Sequence, residues 1–271
     1  MKYFYVISNL SKDYVLDVQD EVQSCLEKRG AVCRYMTDYE RMKNGRHTPG
    51  EYVPEDTQCI ITIGGDGTLI QAARDLAGRN IPMLGINRGH LGFLNQVDRT
   101  EDIDAAMDAL VNERFRLERR MMLRGTVFHE GKPVFQDIAL NEIIATSAEH
   151  LRVLRYDLAV NDEYLNEYAA DGVMVATPTG STAYNLSAGG PVMAPAGRMM
   201  AVTPVCSHTL NARSIVISEE DRVKIGLLGK GLVTFDGDTS QKTGPGDYLI
   251  VERSHMETVM VKLKQISFMQ N

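Results

Sequence analysis

The buried-strand pattern Ile60-Ile61-Thr62-Ile63 runs without a break into Gly64-Gly65-Asp66-Gly67-Thr68, and Leu69-Ile70-Gln71-Ala72-Ala73-Arg74 then reads as a helix. A strand that turns on glycines into a helix is the unit from which parallel α/β sheets are built. The glycines matter because the backbone can approach an anion closely where no Cβ intervenes. The N–H groups at such a turn form a seat for phosphate. Asp66 is out of place in that seat, because a carboxylate repels phosphate. Two chemistries account for it: holding Mg²⁺, or taking a proton from an attacking hydroxyl. The bland alternative is a turn in which the aspartate bonds its own backbone.

The first hundred residues continue the alternation. Tyr3–Ser8 is expected to be a strand. A helix carrying Val15, Val18, Val22, Cys25 and Leu26 on one face follows and stops at Gly30. Ala31–Tyr35, Gln58–Ile63 and Pro82–Ile86 are further strands, and residues 40–56 form a polar loop. Thr100 caps a helix with Ile103, Met107 and Leu110 inside it. Near residue 115 the pattern changes to short strands and turns: Arg119–His129, Pro133–Ala145, Arg152–Val160, Val173–Ala176, and several more from Ser214 to Val261. We therefore expect an α/β domain over 1–115, a doubly wound parallel sheet. A β-rich, sandwich-like domain is expected over 116–250, with residues 251–271 returning to the first.

Composition narrows the function classes. The net charge of -7 argues against a broad nucleic-acid or polybasic membrane surface. No apolar run reaches the roughly 18 residues that a membrane-spanning helix needs. Met1–Ser8 lacks the pattern of a signal peptide. Cys25, Cys33, Cys59 and Cys206 show no C-x-x-C spacing and read as small core hydrophobes of a cytoplasmic protein. The scattered histidines give no metal-ligand pattern, so no resident metal site is expected.

The β-rich half has its own concentrated signal, Asp171-Gly172 and then Thr177-Pro178-Thr179-Gly180-Ser181-Thr182-Ala183-Tyr184-Asn185-Leu186-Ser187-Ala188-Gly189-Gly190. Small hydroxylated residues and glycines at a helix start suit ligand hydroxyls, amides or phosphates. They also suit a plain helix cap. Ser181 and Ser187 have no base partner at recognisable spacing, which argues against a nucleophile. Asn141-Glu142 interrupts the apolar run Ile138–Ala145. Either one of the pair faces solvent, or both line a polar pocket.

Taken together these motifs resemble the NAD kinase family over nearly the whole chain. The order is Gly64–Thr68, Gly85-Ile86-Asn87 through Gly92-Phe93-Leu94, Asn141-Glu142, Asp171-Gly172, and Thr177–Pro191. Lipid kinases share the glycine motif without the last stretch. The resemblance implies transfer of the ATP γ-phosphoryl group to the 2′-hydroxyl of the adenosine ribose of NAD. It makes Asp66 the general base, with Gly64, Gly65 and Thr68 at the phosphates and Mg²⁺ accompanying ATP. It places Gly67, Asn141, Glu142, Arg152, Asp171, Thr182, Ala183, Tyr184, Asn185, Leu186 and Ser187 around the dinucleotide. It further implies a cytoplasmic homodimer or homotetramer, with ATP or polyphosphate as donor. Rivals are a kinase of another hydroxyl substrate and a nucleotide sensor without turnover. The chain departs from the common family pattern at Gln71, Ala169, Ser207-His208-Thr209-Leu210 and Asp236-Gly237-Asp238.

Overall fold

The computed structural model describes residues 1–10, 14–87, 93–149, 152–208 and 212–263. Internal contacts divide the chain into two units. One comprises Met1–Arg119 and the chain from Glu257 onward, and the other is Arg120–Met256.

The first unit alternates strand and helix: β1 (Tyr3–Ser8), α1 (Val15–Glu27), β2 (Val32–Tyr35), α2 (Asp38–Asn44), β3 (Cys59–Ile63), α3 (Asp66–Asp75), β4 (Met83–Ile86) and α4 (Ile103–Val111). The strands pair in the order β2-β1-β3-β4, all parallel, with Phe4 opposite Cys59 and Ile60 opposite Met83. The end of the last strand of the chain adds to this edge, pairing in parallel at Met260 and Met83. Side chains alternate between the two faces of each strand. Phe4, Val6, Ile61, Ile63, Leu84 and Ile86 share one face, which α1 and α4 cover with Val18, Val22, Leu26, Met107 and Leu110. Gly85 lies between Leu84 and Ile86 and so faces the other way. A Cβ there would sit 2.8 Å from Leu69 on α3, so α3 covers the opposite face. From β1 the chain winds outward to β2, and from β3 outward to β4 on the other side. The reversal falls between β1 and β3, the point at which doubly wound sheets open a crevice at their carboxyl ends.

The second unit contains the rest: β5 (Arg116–His129, begun in the first unit), β6 (Lys132–Ala139), β7 (Glu142–Ser147), β8 (Leu154–Val160), β9 (Glu163–Ala170), β10 (Gly172–Ala176), α5 (Tyr184–Ser187), β11 (Met199–Val205), β12 (Ile215–Ser218), β13 (Val223–Leu227), β14 (Gly231–Phe235), β15 (Thr239–Thr243) and β16 (Tyr248–Lys262, ended in the first unit). Strands β16, β13, β8 and β9 pair antiparallel in that order, and β5 pairs with β6 and β16. A second antiparallel sheet runs β12-β11-β10-β7-β14-β15. Every second residue of both sheets enters one core. Tyr156, Leu158, Val223 and Ile225 come from the first sheet, and Ile143, Val173, Val202, Val233 and Phe235 from the second. The α/β domain and the sandwich-like β domain thus match the fold expected from sequence.

Several local expectations need correction. Residues 40–56 are not all loop, because α2 reaches Asn44 and a 3-10 turn spans Gly50–Tyr52. The missed signal is a capping box: Thr37 N–H donates to Glu40 Oε2 at 2.7 Å, and Glu40 N–H returns a bond to Thr37 Oγ1 at 3.3 Å. Thr100 does not cap α4; it begins a 3-10 turn (Thr100–Asp102) ahead of it, and no side chain caps either. The expected strand Pro133–Ala145 is two, broken at Leu140-Asn141. Cys25 and Cys59 are core residues, but Cys33 is half-buried and Cys206 exposed. Arg88–Gly92 of the Gly85–Leu94 motif, Thr209-Leu210, and 264–271 of the expected returning segment lie outside the described residues. Among the described residues no helix is long and apolar enough to cross a membrane.

Packing of the two β sheets depends on a missing side chain at Gly125 of β5. A Cβ there would meet the Phe235 ring at 2.7 Å and Ile143 Cδ1 at 2.8 Å. Gly125→Ala is therefore expected to cost about 1–3 kcal/mol through overpacking. Gly229→Ala, whose Cβ would meet nothing within 4 Å, is expected to change stability by less than about 1 kcal/mol in either direction. Urea unfolding of the two variants beside the parent checks both values.

Candidate active site

The glycine turn is fixed by backbone bonds before any ligand arrives. Gly64 N–H donates to Ile86 O and Asn9 N–H to Ile63 O, each at 2.9 Å, which ties the ends of β1, β3 and β4 together. Gly64 is buried, and a Cβ on it would collide with the Thr68 side chain and lie 3.2 Å from Asn9 Cβ. Gly65 is the N-cap of α3, and Asp66 is the first helical residue. The first turn of a helix has unpaired N–H groups and a partial positive charge.

Asp66 is half-buried. Its Oδ1 accepts a bond from Asn95 Nδ2 at 2.5 Å, and its Oδ2 accepts one from Phe93 N–H at 3.1 Å. Burial pushes its pKa above the usual carboxylate range, against the pull of the Asn95 amide and the N–H groups of Leu94, Phe93 and Asn95. A carboxylate in such an environment is a better proton acceptor than one in water.

Beside it opens a cleft of about 530 Å³, at the carboxyl ends of β1 and β3. Ser8 and Asn9, Gly65, Gly67 and Thr68, Gln71, and Arg46, His47 and Thr48 line it. The wall formed by 46–48 is anchored by Asp75 at the end of α3. One Asp75 oxygen accepts from Thr48 N–H at 2.6 Å and the other from Gln71 Nε2 at 2.9 Å, 3.1 Å from His47 Nδ1. The sequence pattern marks 40–56 as a polar loop and does not single out Arg46, His47 or Thr48. The wall's cue was the Arg46-His47 pair after the short helix.

The second group of expected residues belongs to the β unit. Asp236 organises it: Oδ2 accepts from Leu140 N–H at 2.6 Å, and Oδ1 from Asn141 and Glu142 N–H at 2.8 and 3.0 Å. This clamp is what breaks the expected strand. Of the pair, Asn141 is buried and Glu142 half-buried. Asn141 is 8% exposed. Its Oδ1 and the Glu142 Oε2 are buried without a hydrogen-bond partner, an arrangement that a native interior keeps only for a reason. Burial, with the charge of Asp236, pushes the Glu142 carboxyl up to about 8.

The Thr177–Ser187 loop is bonded to the same clamp. Thr177 N–H donates to Asn141 O at 2.8 Å, and Thr177 Oγ1 donates to Leu140 O at 2.6 Å. Gly180 lies so close that a Cβ would come 2.7 Å from Asn141 Cα. Buried Arg120 donates to Thr179 Oγ1 at 3.2 Å, a contact with no signal in the sequence. Ser181 donates to Pro178 O and accepts from Met193 N–H. Asn185 is fully buried, with its side chain engaged by Ser181 O, Pro191 O and Thr203 Oγ1. These two hold the loop's shape. Tyr184, Leu186 and Ser187 are exposed, Thr182 and Ala183 are half-buried, and Asp171 and Arg152 are exposed, Arg152 4.0 Å from Glu149. The expected site residues thus form two groups: Gly64–Thr68 in one unit, and Asn141, Glu142 and the Thr177–Ser187 loop in the other.

Comparison with known proteins covers both units. Residues 10–115 match the ATP-NAD kinase N-terminal domain, and residues 140–263 match the ATP-NAD kinase C-terminal domain. The chain is 37% identical over 288 residues to the NAD kinase of Lachnospira eligens, covering all of this chain and 98% of that one. It is 36% identical over 270 residues to that of Moorella thermoacetica, covering 97% of this chain and 85% of the other. In fold it is similar to yeast NADH kinase solved with NADH, with a TM-score of 0.85 at 21% identity over 98% of this chain and 84% of that one. It is similar also to an Archaeoglobus fulgidus NAD kinase solved with ATP, with a TM-score of 0.79 at 23% identity over 98% and 95%. The two domain matches and the full-length likeness to NAD kinases place this chain in the NAD kinase family.

Proposed function

We propose that this protein transfers the γ-phosphoryl group of ATP to the 2′-hydroxyl of the adenosine ribose of NAD, giving NADP and ADP. The observation that carries the reading is Asp66, a lone carboxylate in the first turn of α3, buried enough to raise its proton affinity. Phosphoryl transfer needs little covalent chemistry from the protein beyond positioning, charge stabilisation and one proton acceptor. Asp66 takes the proton as the ribose oxygen forms its bond to the γ-phosphorus. The bond from that phosphorus to the bridging β-oxygen breaks, and its electron pair leaves on ADP.

The cleft bounded by Ser8, Gly67, Thr68, Arg46 and His47 takes the nucleotide phosphates, with Gly64, Gly65 and Thr68 forming the turn that borders them. Among the described residues no three His, Cys, Asp or Glu side chains converge on one point. We assign Mg²⁺ to the ATP phosphates, as part of the substrate, on the family resemblance. Asn141 Oδ1 and Glu142 receive ribose hydroxyls, which supply the donors those buried oxygens lack. Asp171 and the segment Thr182–Ser187 border the dinucleotide, and exposed Arg152 supplies a cation for the new 2′-phosphate. The family resemblance supports a cytoplasmic homo-oligomer and ATP, with polyphosphate as a further donor to assay.

Asp66→Asn is expected to lower kcat by about 10²–10⁴-fold, the usual size of a general-base contribution. Binding of NAD is expected to persist. A coupled assay with an NADP-specific dehydrogenase reads the first, and calorimetric titration with NAD reads the second. Full turnover in the variant contradicts the assignment.

Glu142 gives a second expectation. Its folded pKa, about 8, exceeds the ordinary value of 4.5, so between these values the folded state holds a proton that the unfolded state has lost. Stability must then fall as pH rises from about 4.5 to about 8 and level off above. Glu142→Gln removes this contribution. The variant is expected to gain stability relative to the parent across that window, as read by thermal melts of the ligand-free protein at pH 5, 6, 7 and 8. A constant difference contradicts the buried, proton-retaining Glu142.

A further inference from the structure

The strongest unexplained contact of the first unit is the one made by Asn95. It is 3% exposed. Its Nδ2 lies 2.5 Å from Asp66 Oδ1, while its Oδ1 is buried with no hydrogen-bond partner. An amide that leaves its carbonyl unbonded in the interior incurs a desolvation cost. That orientation is nevertheless required: a carboxylate only accepts, so turning Oδ1 toward it would set two acceptors face to face. The fold also keeps a space for this side chain. Gly85 on β4 lies directly beneath, and a Cβ at that position would collide with Asn95 Oδ1. The backbone supports the same placement, because Gln96 N–H donates to Gly85 O at 2.9 Å. The residue is thus held from below, and its one engaged group is aimed at the carboxylate.

We infer that Asn95 is a positioning residue for Asp66, fixing the rotamer of the carboxylate through Oδ1 while Phe93 N–H holds Oδ2, so that a remaining lone pair of the carboxylate faces the substrate hydroxyl, with Gly85 supplying the room. Asn95 does not touch the reacting atoms and acts through Asp66. This rests on Asp66 being the base. Among the described residues, segments 60–63, 83–87, 93–97 and 8–10 contain no Asp, Glu, His, Lys or Arg, and the charged or titratable side chains of the adjoining cleft wall, residues 46–48, are Arg46 and His47. The charged residues of α3 besides Asp66 itself, Arg74 and Asp75, are at its far end. The amide of Asn95 is accordingly the main group opposing the rise in proton affinity that burial causes at Asp66. The arrangement sets geometry and proton affinity together.

The test is the pH profile of kcat for the full-length protein with saturating ATP, Mg²⁺ and NAD, for the parent, Asn95→Ala, Asn95→Asp and Asp66→Asn. Asn95→Asp is nearly isosteric; it sets a second carboxylate against Asp66, and two carboxylates at that distance share a proton. Its acid limb is expected to move up by about one pH unit or more. Asn95→Ala is expected to lower kcat by about ten- to a hundredfold, a part of the whole general-base factor. Its acid limb is expected to move in the same direction, with the KM values for NAD and ATP within about threefold of the parent. Circular dichroism confirms the fold of each variant. An unmoved acid limb and an unchanged kcat in Asn95→Asp overturn the positioning role, even where Asp66→Asn is inactive. Turnover retained in Asp66→Asn removes the base itself, and the role of Asn95 with it.

Discussion

A carboxylate withdrawn from water keeps its charge only through the donors that face it, and this constraint shapes the whole surrounding of Asp66. The helix start at α3 supplies a favourable field, and the loop after β4 brings Phe93 N–H and the Asn95 amide within bonding distance. Too many donors would leave an aspartate that cannot accept a proton. Burial supplies the opposing push. The balance leaves its proton affinity above the usual carboxylate range, which is what the proposed role of base toward a ribose hydroxyl requires.

The β unit solves a similar problem differently. Asp236 sits at positive φ in a tight turn and spends its carboxylate on three successive backbone N–H groups. Those bonds break a continuous strand into β6 and β7. Glu142 then lies beside a fixed negative charge in a dry environment, and it holds its proton up to about 8. One aspartate is left with a raised proton affinity, while the other is consumed as a structural clamp whose charge adds to burial in raising the pKa of a neighbouring carboxyl. The Thr177–Gly180 turn depends on the same clamp through the Leu140 and Asn141 carbonyls.

Much of this was legible in the sequence, because the relevant signals are local. The run Ile60–Ile63 into Gly64–Thr68 announces a strand, a turn and a helix in consecutive residues, and helical spacing exposes α1 and α4. The alternation of β8 and β13 likewise follows from a half-buried sheet. The break at Leu140-Asn141 was not legible, since its cause, Asp236, lies far along the chain. The Asn95–Asp66 bond and the Arg120–Thr179 bond are also products of topology rather than of spacing. The capping box at Thr37 and Glu40 was legible but was overshadowed by the glycines and prolines that follow. The sequence pattern of Ser181 and Asn185 pointed to a ligand, yet their polar atoms are bonded within the protein. Residue type alone does not separate a group that binds from a group that shapes the loop that binds.

The central claim is a chemical one, that the hydroxyl attacked is the 2′-hydroxyl of the adenosine ribose and that the phosphoryl group comes from ATP. The most direct measurement is ³¹P NMR of a reaction containing the purified protein, Mg²⁺, ATP and NAD, followed to completion. The account predicts one ADP formed for each new phosphomonoester resonance, and that resonance coincides with the 2′-phosphate of authentic NADP. Hydrolysis of ATP without a dinucleotide phosphomonoester, or a product esterified at another ribose position, contradicts it.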